Sequence, residues 1–148
     1  MTHEPITVTD LEDGVAAELS DHINQFNVEA TGFDDGRWLR AAQRGPDGGL
    51  EGGLSGWTWG GCGFIEFLWV RADLRGTGVG SRLLAAAETE ARARGCTQMV
   101  LSSHSFQAPD FYVRHGYVEY GRIVGYPRDH AQVHLVKELG PVDEGDIR

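Results

Sequence analysis

The sequence is poor in cysteine and lysine and has no long apolar run, and each scarcity excludes a class of protein. Its two cysteines, Cys62 and Cys96, match no metal-binding or redox spacing, so we expect a reduced, cytoplasmic setting. No apolar run approaches the roughly 18 residues that a membrane-spanning helix requires. The first ten residues, MTHEPITVTD, carry neither a basic nor an apolar signal-peptide region. The sequence therefore predicts a cytoplasmic protein with no membrane partner.

Positive charge is also scarce. The net charge is -9 over 148 residues, and arginine supplies 12 of the 13 basic side chains, with Lys137 the other. This balance argues against nucleic-acid binding through a broad basic surface. It suits attraction of a cationic small molecule, although solubility alone would also explain it. The length fits a single domain, 1–148, with its core at about 5–139 and a polar tail at 140–148.

Alternating and helical apolar patterns predict an order of elements along the chain. Leu11, Val15, Leu19, Ile23 and Phe26 recur at helical spacing and predict one apolar helix face. Between residues 63 and 70, alternation assigns Phe64, Glu66, Leu68 and Val70 to one strand face and Ile65, Phe67 and Trp69 to the other. Strands are predicted at 6–8, 37–44, 50–59, 63–70, 97–103, 117–124 and 131–139, and further helices at 78–94 and 108–116. The buried side of the 78–94 helix is predicted to carry Val79, Leu83, Leu84, Ala87 and Ala91. The pattern predicts an α/β (α+β) fold.

The segment RGTGVG, 75–80, follows the strongest predicted strand and precedes a predicted helix. Such a turn presents free backbone N–H groups at a helix N-terminus, where the helix dipole also favours negative charge. Arg75 adds a positive charge beside it. This pattern favours a pyrophosphate-binding loop, and the alternative is a tight turn without a ligand. A Walker loop is excluded because Ser81 and Arg82 follow Gly80, and the glycine spacing does not match a dinucleotide fingerprint.

Arg75, Gly78 and Gly80 match the Arg/Gln-x-x-Gly-x-Gly/Ala signature of the GNAT acyl-CoA N-acyltransferase superfamily. The segment FYVRHGY, 111–117, is similar to a helix that superfamily members place after the next strand. The sequence thus resembles small stand-alone bacterial members over roughly residues 5–139. The resemblance implies a mixed, mostly antiparallel twisted sheet of about seven strands with about four helices, splayed between the central strand and the next.

The resemblance further implies acetyl-CoA as cosubstrate. Its pantetheine would lie along Leu68, Trp69 and Val70, with the N–H of Trp69 or Val70 facing the thioester carbonyl. Arg75 and Arg82 would support the pyrophosphate, although Arg82 is equally a solvated helix residue. The loop N–H groups that would hold the pyrophosphate belong to Gly76, Thr77, Gly78, Val79, Gly80 and Ser81.

Transfer to an amine requires a base, because an alkylamine is mostly protonated at neutral pH. Glu66 is the first candidate, since a carboxylate in an apolar strand would have a raised pKa, unless it faces outward or is ion-paired. His104, just past the next strand, is the second, or else a loop histidine without a role. Tyr112 matches the superfamily tyrosine that protonates the departing thiolate, and its alternative is a core aromatic.

We therefore expect a small-molecule amine N-acetyltransferase, with a cationic acceptor and a homodimeric assembly. The alternatives are an enzyme of the same fold that acetylates protein N-termini or lysines, and a non-catalytic acyl-CoA-binding module. We expect no metal, because His130 and His134 would lie about 13 Å apart on a strand.

Overall fold

The computed structural model describes residues 1–141. Within them the chain forms three α-helices, a short 3-10 helix and a six-stranded sheet. It divides into two compact units, Met1–Asp34 and the chain from Asp35 onward, so the single domain expected from the sequence stays a prediction. Most of the predicted tail, 142–148, lies outside the described residues. The elements are α1 (Val15–Thr31), β1 (Arg37–Arg44), β2 (Leu50–Trp59), β3 (Cys62–Val70), a 3-10 turn (Ala72–Leu74), α2 (Val79–Ala93), β4 (Gln98–His104), α3 (Pro109–Arg114), β5 (Val118–Val124) and β6 (Ala131–Glu138).

The first unit contains one helix. α1 ends at Gly32, whose left-handed backbone donates its N–H to Val28 O. The strand predicted at residues 6–8 is wrong, because that segment forms no strand pairing and is fully exposed. The segment has only two apolar side chains and follows Pro5, which has no backbone N–H to donate. It therefore offers too few inter-strand hydrogen bonds and too little apolar surface to stabilise a strand. The helix is confirmed, but it begins at Val15, so Leu11 lies before it and its predicted place on the helix face is wrong. The remaining residues of that face, Val15, Leu19, Ile23 and Phe26, are all exposed.

The second unit is built on one sheet with the order β1-β2-β3-β4-β6-β5. All neighbours pair antiparallel except β3 and β4, which run parallel and are connected through α2. The mixed, mostly antiparallel sheet predicted from the sequence is therefore confirmed, with six strands in residues 1–141 instead of about seven. The six later strands begin and end within one residue of their predicted bounds.

A β-bulge interrupts β3 at Glu66. Ser55 of β2 pairs with Phe67 and Gly56 pairs with Ile65, so Glu66 has no partner on β2. The extra residue shifts the alternation by one position. Ile65 is buried in the core, and Leu68 packs against the same core two pairs further on. The face assignment made from regular alternation is therefore wrong, because Leu68 shares its face with Ile65 and not with Glu66.

The main core lies between this sheet and α2. The predicted buried side of α2 is confirmed. Its residues Leu84 and Ala91 are fully buried, in the same core cluster as Met99 of β4 and Leu135 of β6. At about 25 cal/mol per Å² of apolar area, such side chains supply most of the favourable free energy of folding. The buried α2 residues are Val79, Leu83, Leu84, Ala87, Glu88 and Ala91.

One buried charge lies in this core. Glu88 of α2 is 6% exposed and accepts hydrogen bonds from Tyr117 Oη at 3.1 Å and from Lys137 Nζ at 2.8 Å. The Lys137 ammonium also lies 5.7 Å from the centre of the Tyr117 ring. The ion pair joins α2 to β6, and it compensates a carboxylate that would otherwise be costly to bury. Among residues 1–141, no helix is both long and apolar enough to cross a membrane.

Candidate active site

A cleft opens where β3 and β4 part. The two strands pair only over Cys62–Ile65 and Gln98–Leu101, and the bulge at Glu66 follows immediately. Beyond that point, β3 keeps its pairs with β2 and β4 keeps its pairs with β6. The gap forms a cleft of about 940 Å³, lined by β3, the glycine loop, β4 and α3. The splay that the resemblance implied is therefore present.

One wall of the cleft is the unpaired edge of β3. Leu68, Trp69 and Val70 pair with β2 on one side, and they line the cleft on the other. A strand edge that lacks a partner exposes its backbone N–H and C=O groups. This edge can therefore pair with an extended, amide-containing ligand.

The glycine loop closes one end of the cleft. Gly78 caps α2 in a left-handed conformation, with φ 94°, and Arg82 donates its N–H to Gly78 O. The preceding N–H groups, those of Val79, Gly80 and Ser81, have no acceptor within the helix. Gly78, Gly80 and Ser81 line the cleft, so these donors and the helix dipole suit an anion.

The loop lies beside α3 and the end of β3. A Cβ on Gly80 would be in van der Waals contact with Phe111 Cζ at 3.4 Å and with Val70 Cγ2 at 3.6 Å. Arg75 lines the cleft, and its Nε donates to Val70 O at 3.1 Å, which ties the loop to the end of β3. These features fit a diphosphate group at this end.

Three of the residues predicted for the loop do not line the cleft. Thr77 donates both its N–H and its hydroxyl to Leu74 O. Val79 is buried in the core, and Arg82 donates to Gln43 Oε1 at 3.4 Å. Gly76 does line the cleft. Of the predicted loop residues, those that line the cleft are thus Arg75, Gly76, Gly78, Gly80 and Ser81.

Tyr112 lies in the wall opposite the β3 edge. Pro109 occupies the first turn of α3, and ring contacts with Phe111 and Tyr117 hold Tyr112 with 8% of its surface exposed. Burial raises the pKa of Tyr112 to about 12, because it disfavours the phenolate. The hydroxyl therefore keeps its proton at neutral pH, as a general acid requires.

Glu66 and His104 occupy different positions relative to the cleft. Glu66 lines it, but the bulge leaves its side chain exposed, so the buried position assumed from the sequence is wrong. His104 is half-buried behind the cleft residue Phe106, with their rings stacked at 5.5 Å. Its Nδ1 lies 3.2 Å from Tyr126 O, and since a carbonyl only accepts, Nδ1 carries the hydrogen. The neutral ring then keeps a free lone pair on Nε2.

Sequence reasoning missed His115. This residue follows α3, lines the cleft, and places Nε2 3.0 Å from Ser81 Oγ on α2. Its position four residues after Phe111 was visible in the sequence, but the partner is 34 residues away along the chain. Only the packing of α3 against α2 reveals the pair.

Comparison with known proteins places this geometry among acetyltransferases. Residues 13–117 match the Acetyltransferase (GNAT) family. The chain is 44% identical over 99 residues to blasticidin-S acetyltransferase of Streptomyces morookaense. The aligned region covers 64% of this chain and 71% of that relative. An acetyltransferase from Bacillus cereus ATCC 14579 superposes with a TM-score of 0.76 and 30% identity, covering 90% of this chain and 97% of that one.

A third protein of this fold was crystallised with acetyl coenzyme A. It comes from Bacillus anthracis str. Ames, and it superposes with a TM-score of 0.55 and 23% identity, covering 62% of this chain and 57% of that one. At this identity, the likeness concerns the fold alone.

Proposed function

The chain belongs to the GNAT family of acetyltransferases, and on that premise we propose that it transfers an acetyl group from acetyl-CoA to a primary amine of a small molecule. The transfer is a direct attack in a ternary complex. The observation that carries the proposal is the cleft itself, which has an anion-binding loop at one end, an unpaired strand edge along one wall and a protonated Tyr112 in the other.

The cosubstrate assignment rests on the match between the cleft and the parts of acetyl-CoA. The N–H groups at the start of α2 would hold the diphosphate, and the β3 edge would pair with the amides of pantetheine. The protein of this fold from Bacillus anthracis binds acetyl-CoA, which supports the same cosubstrate here.

The reaction follows from the groups around the thioester. The ammonium form of the amine loses one proton to Glu66 or His104, and the neutral amine then forms a bond to the acetyl carbon. As the carbon–sulfur bond breaks, the nitrogen releases its second proton to solvent, and solvent returns a proton to the Tyr112 oxygen after the transfer. The N–H of Trp69 or Val70 stabilises the carbonyl oxygen as it becomes negative. The Tyr112 hydroxyl gives its proton to the departing sulfur.

A small, cationic amine is the acceptor class we propose. The name of blasticidin-S acetyltransferase points to a small-molecule substrate for that relative, and the charge of -9 favours approach of a cation. The proposal includes a cytoplasmic location and a homodimer.

A thiol-release assay tests the proposal. Purified protein is incubated with acetyl-CoA and a panel of cationic small amines that includes blasticidin S, alongside lysine-containing peptides and an acceptor-free control. We expect free CoA above the control with at least one small amine and none with peptides. Release with peptides alone would contradict the substrate class, and no release with any amine would contradict acetyl transfer.

A further inference from the structure

The side chains of His115 and Ser81 connect the end of α3 to the first turn of α2, and both residues line the cleft. We propose that His115 controls the direction of the Ser81 hydroxyl hydrogen, so that binding of the CoA diphosphate takes up a proton at His115. His115 is then a positioning residue for the anion-binding loop. The inference rests on the proposed function, since it takes a diphosphate as the ligand of that loop.

The orientation of the His115 ring follows from its other hydrogen bond. Nδ1 lies 2.7 Å from Phe111 O, one turn earlier in α3. A carbonyl oxygen can only accept, so Nδ1 carries a hydrogen in every protonation state of this arrangement. Phe111 also packs its ring against the imidazole, at 4.4 Å between centres. The ring is therefore held with Nε2 directed at Ser81.

The state of Nε2 then decides what Ser81 can offer. A neutral imidazole with hydrogen on Nδ1 has only a lone pair on Nε2, so the Ser81 hydroxyl must donate to it. An imidazolium donates from Nε2, and Ser81 then accepts. A hydroxyl has one hydrogen and two lone pairs, so in the second case its hydrogen is released for another acceptor.

The released hydrogen is in the right place to meet an anion. Ser81 is the third residue of α2 and lines the cleft beside Gly78 and Gly80. In the neutral state, the Ser81 oxygen presents only lone pairs to the cleft, which repel a phosphate oxygen. In the protonated state it donates a hydrogen bond, and the imidazolium adds positive charge. An anion bound in the loop therefore favours protonated His115.

The other charged groups around His115 do not account for proton uptake when the anion binds. Arg75 of the loop and Arg114 of α3 line the cleft with it, and Glu66 of β3 is the carboxylate in that lining. On α2, Arg82 is bonded to Gln43, and Lys137 of β6, near Gly116, is paired with Glu88. The arginines stay charged at every working pH. They attract the diphosphate without changing protonation.

Linkage gives the sign of the effect. If the bound state holds more protons than the free state, affinity rises as pH falls, and binding near neutral pH removes protons from the buffer. We expect the His115-dependent part of CoA affinity to weaken about fivefold between pH 5.5 and 8.5, the advantage of a charge-assisted hydrogen bond over a neutral one.

Isothermal titration calorimetry with coenzyme A tests the inference without catalysis. Titrations at pH 7 in two buffers of different ionisation enthalpy give the protons taken up on binding. We expect uptake of a fraction of a proton in the wild type, and its loss in both His115→Gln and Ser81→Ala. His22→Gln, on an exposed turn of α1, is the matched control and should keep the uptake. Comparing each variant with the wild type removes the contribution of the CoA phosphates, which is common to all.

The outcomes separate the two proposals. Uptake that survives in His115→Gln assigns the proton to another group, and uptake that survives in Ser81→Ala shows that the hydroxyl is not involved, so either overturns the inference. CoA binding without proton uptake in the wild type overturns it as well, while the proposed function stands. A wild type that does not bind CoA overturns both. Ser81→Ala removes only a hydroxyl, so it keeps the test valid if His115→Gln does not fold.

Discussion

The boundary between β3 and β4 has a closed half and an open half. In the closed half, Cys62–Ile65 pair with Gln98–Leu101 and the buried side chains meet α2. In the open half, Phe67–Val70 face a cleft in place of a strand. A single bulge residue separates them, so one strand serves the core at one end and a ligand at the other. Substitutions in the closed half should therefore reduce stability, and those around the open half should reduce binding or turnover.

The largest effect is expected from Gly56→Ala on β2, which pairs with Ile65 at the edge of the closed half. A Cβ on Gly56 would overlap the carbonyl oxygen of Phe64 and lie 2.9 Å from its carbon, and these are backbone atoms that a rotamer change cannot move. The β2–β3 pairing must shift, and we expect a loss of more than about 4 kcal/mol in the free energy of unfolding. Urea denaturation followed by circular dichroism measures it.

Gly121→Ala is the matched control for that loss. Gly121 is also in a strand, at negative φ, and a Cβ there would meet nothing within 4 Å. Its free energy of unfolding should change by less than about 1 kcal/mol. Equal stability of Gly56→Ala and the wild type would mean that the bulge is not held by close backbone packing.

In the open half, Gly78→Asp should abolish most of the CoA affinity. The new carboxylate would repel the diphosphate, and its backbone would be strained at φ 94°. We expect a decrease of about 100-fold or more in affinity, measured by calorimetry. Gly48→Asp, at φ 83° in the β1–β2 turn, imposes the same strain without the loop. It should lose similar stability and bind CoA normally, and a normal affinity in Gly78→Asp would contradict the loop assignment.

Tyr112→Phe should reduce kcat by about 100-fold, the lower range for general acid catalysis. The KM for acetyl-CoA should change little, because the hydroxyl acts as the thiolate forms. Burial raises the pKa of Tyr112 to about 12, so the hydroxyl stays protonated at neutral and moderately alkaline pH. Ionisation of Tyr112 should therefore not reduce kcat in that pH range. Tyr120→Phe, on the exposed side of β5, is the control. A wild-type kcat at saturating amine would remove Tyr112 from the mechanism.

The smallest effect is expected from the base, where exposed Glu66 and half-buried His104 compete. Glu66→Gln keeps the shape of the bulge, and His104→Ala removes the imidazole. We expect one of the two to flatten the acidic limb of the pH–rate profile and to lower turnover near neutral pH by no more than about 100-fold, the lower range for general base catalysis. Retention of the limb in both variants would leave the proton to water.

The sequence was sufficient for most of the elements and for the position of the glycine loop before α2, while the binding role of the loop stays a prediction. RGTGVG carries its own chemistry, because glycine at positive φ and free N–H groups at a helix start are local properties. Tyr112 was assigned by resemblance, and the structure places it in the cleft wall; its role as the acid stays a prediction. The apolar face of α2 was predicted correctly, because its residues pack against strands of strong apolar character.

The missed features depend on partners distant in the chain. FIEFLWV has regular alternation, and only the pairing of Gly56 with Ile65 and Ser55 with Phe67 reveals the bulge. The His115–Ser81 pair likewise requires α3 to lie against α2. In α1, the spacing of apolar residues predicted the helix and its apolar face, but the side chains of that face are not buried. The spacing describes only the surface of the helix itself, whereas burial also depends on a second surface that packs against it.

The ion pair of Lys137 with Glu88 has a consequence under the proposed use of a thioester cosubstrate. Lys137 is the one lysine in the sequence, and its Nζ lies 2.8 Å from Glu88 Oε1 with 22% of the side chain exposed, so its amine is occupied by a carboxylate. Arginine supplies every other basic side chain, and guanidinium is not acetylated under these conditions. Under that proposal, the chain offers a thioester cosubstrate a single lysine as a target for self-acetylation, and that lysine is paired with Glu88.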